Sequence, residues 1–198
     1  VQDLRDVTQV APSLSMGTGQ SNSSGTIARI RGIGTGSDNP GFEGAVGIFI
    51  DGVYRSRAGA ALADLPELER VEVLRGPQGT LFGRNTSAGA ISVVTAGPDF
   101  SPGMYLEGQF AMDDLEETGV RAGVNIPVND RLAFRFDGAI RARDGYVTDL
   151  ISGSDINNRD RWTARGQALW DISDDASLRI IVDASESDEV CCGITPLI

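Results

Sequence analysis

The second half of the sequence alternates apolar and polar residues over several long segments. From Arg131 to Arg143, the odd positions are mostly charged while the even positions are mostly apolar. A period of two is typical of β-strands with one face in a polar and the other in an apolar environment. The same alternation recurs at 104–112, 120–126, 161–170 and 177–185. The pattern therefore predicts five consecutive strands of an antiparallel sheet.

The connections between these segments differ in length. Positions 129–130 and 173–175 form tight turns, whereas 145–158 is long and polar. Tight turns at one end of the strands and longer loops at the other are typical of outer-membrane β-barrels. Trp162 and Trp170 also lie on one apolar face, at a spacing that suits an aromatic girdle at each rim.

A soluble sandwich of two sheets would show the same alternation, so the pattern leaves that alternative open. The segments are about ten residues long, however, which exceeds the usual strand length of about five or six. Arginine recurs on nearly every polar face, and a wide water-filled lumen accommodates such rows better than a soluble sheet does. Both features favour a transmembrane β-barrel.

The first half of the sequence mixes several kinds of element. Helical spacing of apolar residues ahead of Pro12 predicts a short helix at the start. Apolar runs predict strands at 27–33, 46–54, 71–74 and 91–95, with a hairpin turn at Asp51-Gly52. A spacing of three predicts a helical turn or two, broken by Pro66, at Leu62, Leu65 and Leu68. This half is therefore predicted to be a small α+β unit with long loops.

The composition disfavours several kinds of chemistry. The net charge of −11 disfavours nucleic acid as a partner. Histidine and lysine are absent, and no glycine-rich stretch has a P-loop or dinucleotide-binding pattern. The adjacent Cys191 and Cys192 are too few to close a metal site, so we expect no metal, no cofactor and no catalytic centre. An enzyme using Asp174 and Asp175 as paired carboxylates is disfavoured, because neighbours on a strand point to opposite faces.

Three motifs of the first half occur in a characteristic order: IRGIG at Ile30, FIDGVY at Phe49, and LPELERVEVLRGPQGTLFGRNTSAGAISVVT from Leu65 to Thr95. Together they resemble the plug domain of TonB-dependent outer-membrane receptors. The resemblance implies an α+β plug domain at 1–98, N-terminally incomplete and without a visible TonB box. Residues 99–198 would then be the first five strands of an antiparallel transmembrane β-barrel of about 22 strands, C-terminally incomplete.

The resemblance implies an active importer in the outer membrane of a Gram-negative bacterium. Its ligand would be a scarce small molecule, most simply a ferric siderophore or a similar metal chelate. Its partners would be the outer-membrane lipid and the TonB complex of the inner membrane, which pulls on the plug. The alternative from a different class is a secreted or surface β-rich module that binds glycans or acts as an adhesin.

The resemblance also implies roles for individual residues. Arg31 and Arg75 would pair with glutamates of the barrel wall and help to seat the plug. Three plug loops, at 15–26, 34–44 and 54–60, would face the ligand. Their candidate contact residues are Gln20, Asn22, Asp38, Asn39, Phe42, Glu43, Tyr54, Arg55 and Arg57. We expect a further set of glycines to allow tight turns and close backbone approach within a pore, namely Gly76, Gly79, Gly83 and Gly89.

Overall fold

The computed structural model describes residues 6–18, 26–34, 43–56, 64–111, 116–150 and 153–190. These residues fall into two compact units, one within Val1–Thr95 and the other at Ala96–Val190. In the ranges described, no helix is both long and apolar enough to cross a membrane.

The first unit contains a hairpin-like pair of strands and a four-stranded sheet. Helix α1 (Val7–Val10) precedes the antiparallel pair of β1 (Leu14–Thr18) and β2 (Thr26–Ile30). The sheet has the strand order β4-β3-β6-β5, in which β3 and β6 are parallel and the other pairs are antiparallel. Its elements are β3 (Val46–Ile50), β4 (Val53–Arg55), β5 (Leu68–Arg75), helix α2 (Gly79–Phe82) and β6 (Gly89–Thr95).

The core of the first unit centres on the parallel pair of strands. All five residues of β3 are buried, as expected for a central strand covered on both faces. Ile48 on β3 packs with Ile91 and Val93 on β6, and the exposed fraction of each is 1% or less. Val7 of α1 and Ile30 of β2 belong to the same core. The apolar runs that predicted strands are therefore the residues that bury the unit's apolar surface.

The IRGIG motif ends strand β2 with a tight turn. Arg31 and Gly32 both adopt left-handed backbone conformations, with φ of 54° and 77°. Ile30 and Ile33 close the turn by exchanging backbone hydrogen bonds of 3.0 Å. The predicted strand at 27–33 therefore stops at Ile30, because the chain reverses at the next two residues.

Two expectations for the first unit are wrong. Leu65 is buried but lies outside any helix, and Leu68 begins strand β5, which pairs with β6. The helical spacing of these leucines is therefore incidental, and Leu62 lies outside the described residues. Gly79 lies in helix α2, where a Cβ would meet nothing within 4 Å, so neither a tight turn nor close approach accounts for it. Gly89 does meet the expectation, because a Cβ there would collide with the carbonyl oxygen of Leu74.

The second unit is an antiparallel meander. Its strand order, β13-β12-β9-β8-β7, follows the sequence apart from a small hairpin inserted between β9 and β12. The hairpin consists of β10 (Val147–Thr148) and β11 (Asp155–Ile156). The five long strands are β7 (Gly103–Ala111), β8 (Glu117–Asn129), β9 (Leu132–Arg143), β12 (Arg159–Ser173) and β13 (Ala176–Ser187). The prediction of five consecutive antiparallel strands is confirmed.

The two faces of this sheet have an unusual polarity. On β9, the polar residues Arg135, Asp137 and Arg141 are buried. The apolar residues between them are exposed, with Phe136 at 51% and Ile140 at 57%. A soluble antiparallel sheet buries its apolar row and solvates its polar row. The reverse arrangement is that of a barrel strand, whose apolar row faces lipid.

Candidate functional site

The structure describes three of the nine predicted ligand contacts, namely Glu43, Tyr54 and Arg55. The other six lie outside the described residues, as do both cysteines of the C-terminal segment: Gln20, Asn22, Asp38, Asn39, Phe42, Arg57, Cys191 and Cys192. Arg55 is half-buried at the end of β4, opposite Ile48 of β3.

Glu43 and Tyr54 come from separate segments but contact neighbouring residues of one turn. This turn, Gly83–Thr86, is called the GRNT turn below. Arg84 pairs with Glu43, with 3.1 Å between Nη1 and Oε1. The amide Nδ2 of Asn85 donates a hydrogen bond of 2.9 Å to the Tyr54 hydroxyl oxygen. The GRNT turn therefore links two of the predicted ligand loops, a relationship that the sequence did not predict.

The GRNT turn is fixed by its own hydrogen bonds. Thr86 Oγ1 donates a hydrogen bond of 2.6 Å to the Gly83 carbonyl. The Thr86 carbonyl accepts one of 2.9 Å from the backbone N–H of Gln78. Asn85 adopts a left-handed conformation, with φ of 66°, which asparagine tolerates better than most residues. Gly83, one of the glycines expected to allow a tight turn, begins this turn with φ of 79°.

An aromatic cluster lies beneath the GRNT turn. The ring of Phe49 packs against Phe82, with 4.8 Å between centroids, and against Tyr54, with 5.5 Å. Tilted ring pairs at these distances stabilise a fold by more than the burial of their apolar surface alone. Tyr54 is therefore held both through its ring and through its hydroxyl group.

Asp51 links the β3–β4 turn to the end of β6. Its carboxylate accepts hydrogen bonds from the Thr95 amide over 2.9 Å and from Thr95 Oγ1, also over 2.9 Å. Thr95 is completely buried, and Asp51 adopts a left-handed conformation with φ of 50°. The FIDGVY motif thus contains a turn whose first residue, Asp51, is hydrogen-bonded to the end of β6.

The two arginines that were expected to seat the plug are both exposed at strand ends. Arg31 follows β2, and its amide donates a hydrogen bond of 2.7 Å to the Ser13 carbonyl. Arg75 is the last residue of β5. Their pairing with barrel glutamates stays a prediction.

Exposed charges on β5 form a small ion cluster. Arg70 contacts Glu72 over 2.9 Å and Glu69 over 2.7 Å. The hydrogen bond that Arg70 donates to Glu72 raises the pKa of Arg70, so this side chain remains a cation at any physiological pH. Within the described residues, no group of three or more His, Cys, Asp and Glu side chains is placed to hold a metal ion.

The buried face of the second unit carries charges of both signs. Asp137 receives a hydrogen bond from Arg135 Nε over 3.0 Å. Buried Arg165 donates from Nε over 2.6 Å to Asp183, whose side chain is 42% exposed, and this pair links β12 with β13. Burying charges of one sign alone would be very costly. The pairing of arginines with aspartates lowers the cost of shielding this face from solvent.

Two buried amide side chains on the same face bind the segment that precedes β7. Asn125 on β8 bonds to Asp99 and Ser101, and Gln167 on β12 bonds to the carbonyl of Ala96. Neither residue was predicted from the sequence to have a role, because an isolated amide in an alternating strand belongs to no motif.

Comparison with known proteins identifies the first unit. Residues 1–90 match the family model described as the TonB-dependent Receptor Plug Domain. These residues are a TonB-dependent receptor plug domain. The chain is also 33% identical over 129 residues to the pesticin receptor of Yersinia pestis, a match that covers 64% of this chain. The match covers only 18% of that receptor, so this chain spans a small part of its curated relatives' length.

Solved structures extend the likeness to the strands that follow the plug. The ferric yersiniabactin uptake receptor of Yersinia pestis matches 91% of this chain and 28% of its own, with a TM-score of 0.78 and 24% identity. The pyoverdine outer membrane receptor of Pseudomonas aeruginosa matches 94% of this chain and 25% of its own, with a TM-score of 0.72 and 17% identity. The resemblance and the fold class predicted from the sequence are confirmed.

Proposed function

We propose that this chain belongs to an active transporter of the Gram-negative outer membrane. In this proposal residues 1–98 are the plug and residues 99–198 begin the barrel wall. The transporter binds a scarce ligand at its outer mouth and admits it when the plug is remodelled. Binding and remodelling require no bond chemistry, so the proposed protein is not an enzyme.

The observation that carries the proposal is the reversed polarity of the second unit directly after a plug domain. A sheet that exposes Phe136 and Ile140 while it buries Arg135 and Asp137 suits lipid on one side and a polar lumen on the other. A secreted module would need the opposite arrangement to remain in water.

We propose a ferric siderophore or a similar metal chelate as the ligand. One structural relative takes up ferric yersiniabactin, and another was solved with pyoverdine bound. The candidate contact residues are the nine loop residues named from the sequence. Of these, Glu43 and Tyr54 are held by the GRNT turn, which supports a preorganised position for both.

The TonB complex is the proposed source of energy. Since ATP is not available in the outer membrane, a pull on the plug's leading segment would supply the work. The proposed partners are therefore that complex, the outer-membrane lipid and the small-molecule ligand, with Arg31 and Arg75 seating the plug against the barrel.

The test is uptake of a labelled panel of ferric chelates by cells that carry the full-length protein. We expect accumulation of at least one chelate, abolished when the proton gradient is collapsed. Cells that lack the gene give the background. Accumulation that is insensitive to the gradient would exclude active import and leave a passive pore. Absence of uptake for every ferric chelate would exclude the proposed ligand class.

A further inference from the structure

The segment 96–102, called the linker below, runs from the end of β6 to the start of β7. It has no regular secondary structure, so its backbone groups need partners outside a helix or a strand ladder. Pro98 within it is buried. At least part of the linker is therefore shielded from solvent.

Asn125 holds the second half of the linker with both polar atoms of its side chain. Its Nδ2 donates to the carbonyl of Asp99 over 2.8 Å and to that of Ser101 over 2.6 Å. Its Oδ1 accepts from the Asp99 amide over 3.2 Å. Only 5% of Asn125 is exposed, so its own polar atoms are shielded from water, while Asp99 and Ser101 are exposed.

Gln167 holds the first residue of the linker. Its Nε2 donates to the Ala96 carbonyl over 3.0 Å. Its Oε1 accepts from Arg179 Nε over 3.1 Å, which fixes the amide with its donor towards the linker. The exposed fraction of Gln167 is 3%. Arg179 also lies beside the linker, since a Cβ at Gly97 would be 3.4 Å from its Cζ.

The two attachments lie on different strands of the wall. Asn125 belongs to β8 and Gln167 to β12, with β9 between them. The linker is therefore fixed to the sheet at Ala96 and again at Asp99–Ser101. A segment attached at two separated points cannot follow the chain before it without breaking the hydrogen bonds to Asn125 and Gln167.

We propose that Asn125 and Gln167 are positioning residues that keep the linker on the wall while the plug is remodelled. The inference rests on the proposed function. A pull on the leading end of the plug is then resisted at Ala96, directly after β6. The plug changes its internal conformation as a result, and the linker is not drawn into the lumen with it.

The test is single-molecule pulling on the N-terminal end of the full-length protein in a lipid bilayer. The isosteric double variant Asn125→Asp, Gln167→Glu keeps side-chain size but replaces the donors by oxygens that face linker carbonyls. Because the six residues 96–101 then move with the plug, we expect the released length to increase by about 20 Å. The matched control is Asn158→Asp, since Asn158 bonds to Val190 outside the linker, and it should release the wild-type length.

Amide hydrogen exchange of the wild-type and variant proteins provides a second measurement that needs no force. We expect linker amides in the double variant to exchange at least about tenfold faster than in the wild type. Equal released lengths, or a linker that already exchanges freely in the wild type, would overturn the inference. Neither measurement requires ligand, proton gradient or uptake, so its failure is distinguishable from failure of the transport proposal.

Discussion

The hydroxyl of Tyr105 on β7 donates a hydrogen bond of 3.0 Å to Oδ1 of Asp137 on β9, across the strand that separates them. The residue between them in the register is Gly123 of β8. With no side chain there, the Tyr105 ring lies over the backbone of the middle strand. The glycine thus connects two strands that are not neighbours in the sheet.

Gly123→Ala is expected to destabilise the second unit. The added Cβ would collide with the Tyr105 ring and displace Asp137 from its hydrogen bond. Overpacking of this kind costs about 1–3 kcal/mol. Thermal unfolding of the full-length protein in detergent measures the change. Gly138→Ala is the control, because a Cβ there meets only an ordinary contact of 3.7 Å; equal effects of the two substitutions would refute this role of Gly123.

Two arginines of one hairpin should differ strongly in their contribution to stability. Arg135 and Asp137 form a pair whose side chains are 9% and 2% exposed, so Arg135→Ala leaves a buried carboxylate with less compensation. We expect a loss of about 3 kcal/mol. Arg131 pairs with Asp174 in solvent, and Arg131→Ala should cost less than about 1 kcal/mol. Denaturant titrations of both variants measure the free energy of unfolding. Comparable losses of that free energy would contradict the expectation.

The bond between Asn85 and Tyr54 should be measurable by a double-mutant cycle. Asn85→Gly keeps the left-handed backbone and removes the amide, while Tyr54→Phe removes only the hydroxyl. We expect a coupling free energy of about 1 kcal/mol in unfolding experiments on the full-length protein. Additive effects would show that the two side chains do not stabilise each other. Chelate binding by the same variants then shows whether the GRNT turn positions Tyr54 for the ligand.

Asp51 should be more sensitive to substitution than its place in a turn suggests. Asp51→Asn keeps one acceptor oxygen and tolerates the left-handed backbone, whereas Asp51→Ala loses both advantages. We expect Asp51→Ala to destabilise the plug by about 2 kcal/mol and Asp51→Asn by clearly less. Amide exchange at Thr95 is the local measurement. Unchanged protection of that amide in both variants would contradict the role of the carboxylate.

The sequence predicted those parts of the fold that depend on local pattern. The alternation of β7, β8, β9, β12 and β13 and the Asp51-Gly52 turn follow from neighbouring residues, and the structure has both. Strand β1 was missed because Leu14 and Met16 alternate over only five residues beside a polar, glycine-rich stretch. Leucines three apart mimicked a helix where the chain in fact begins β5.

The site depended on contacts between distant parts of the chain. Asn85 and Tyr54 are 31 residues apart, and Gln167 and Ala96 are 71 apart. No spacing rule connects such positions, because their proximity results from strand pairing and from the path of the linker. Family resemblance supplied the candidate loops, but only the structure shows that Glu43 and Tyr54 meet at the GRNT turn.

The parallel pairing of β3 with β6 has a mechanical consequence. The first residue of β3 and the last residue of β6 lie at opposite ends of the pair. A force applied between them therefore loads all the hydrogen bonds between the two strands in shear. Strands β1 and β2 are antiparallel, and their outer ends lie side by side. That pair can be peeled apart one bond at a time. A force applied to the N-terminal end therefore acts on a weak region and a strong region in series. The size of the force determines how much of the chain unfolds.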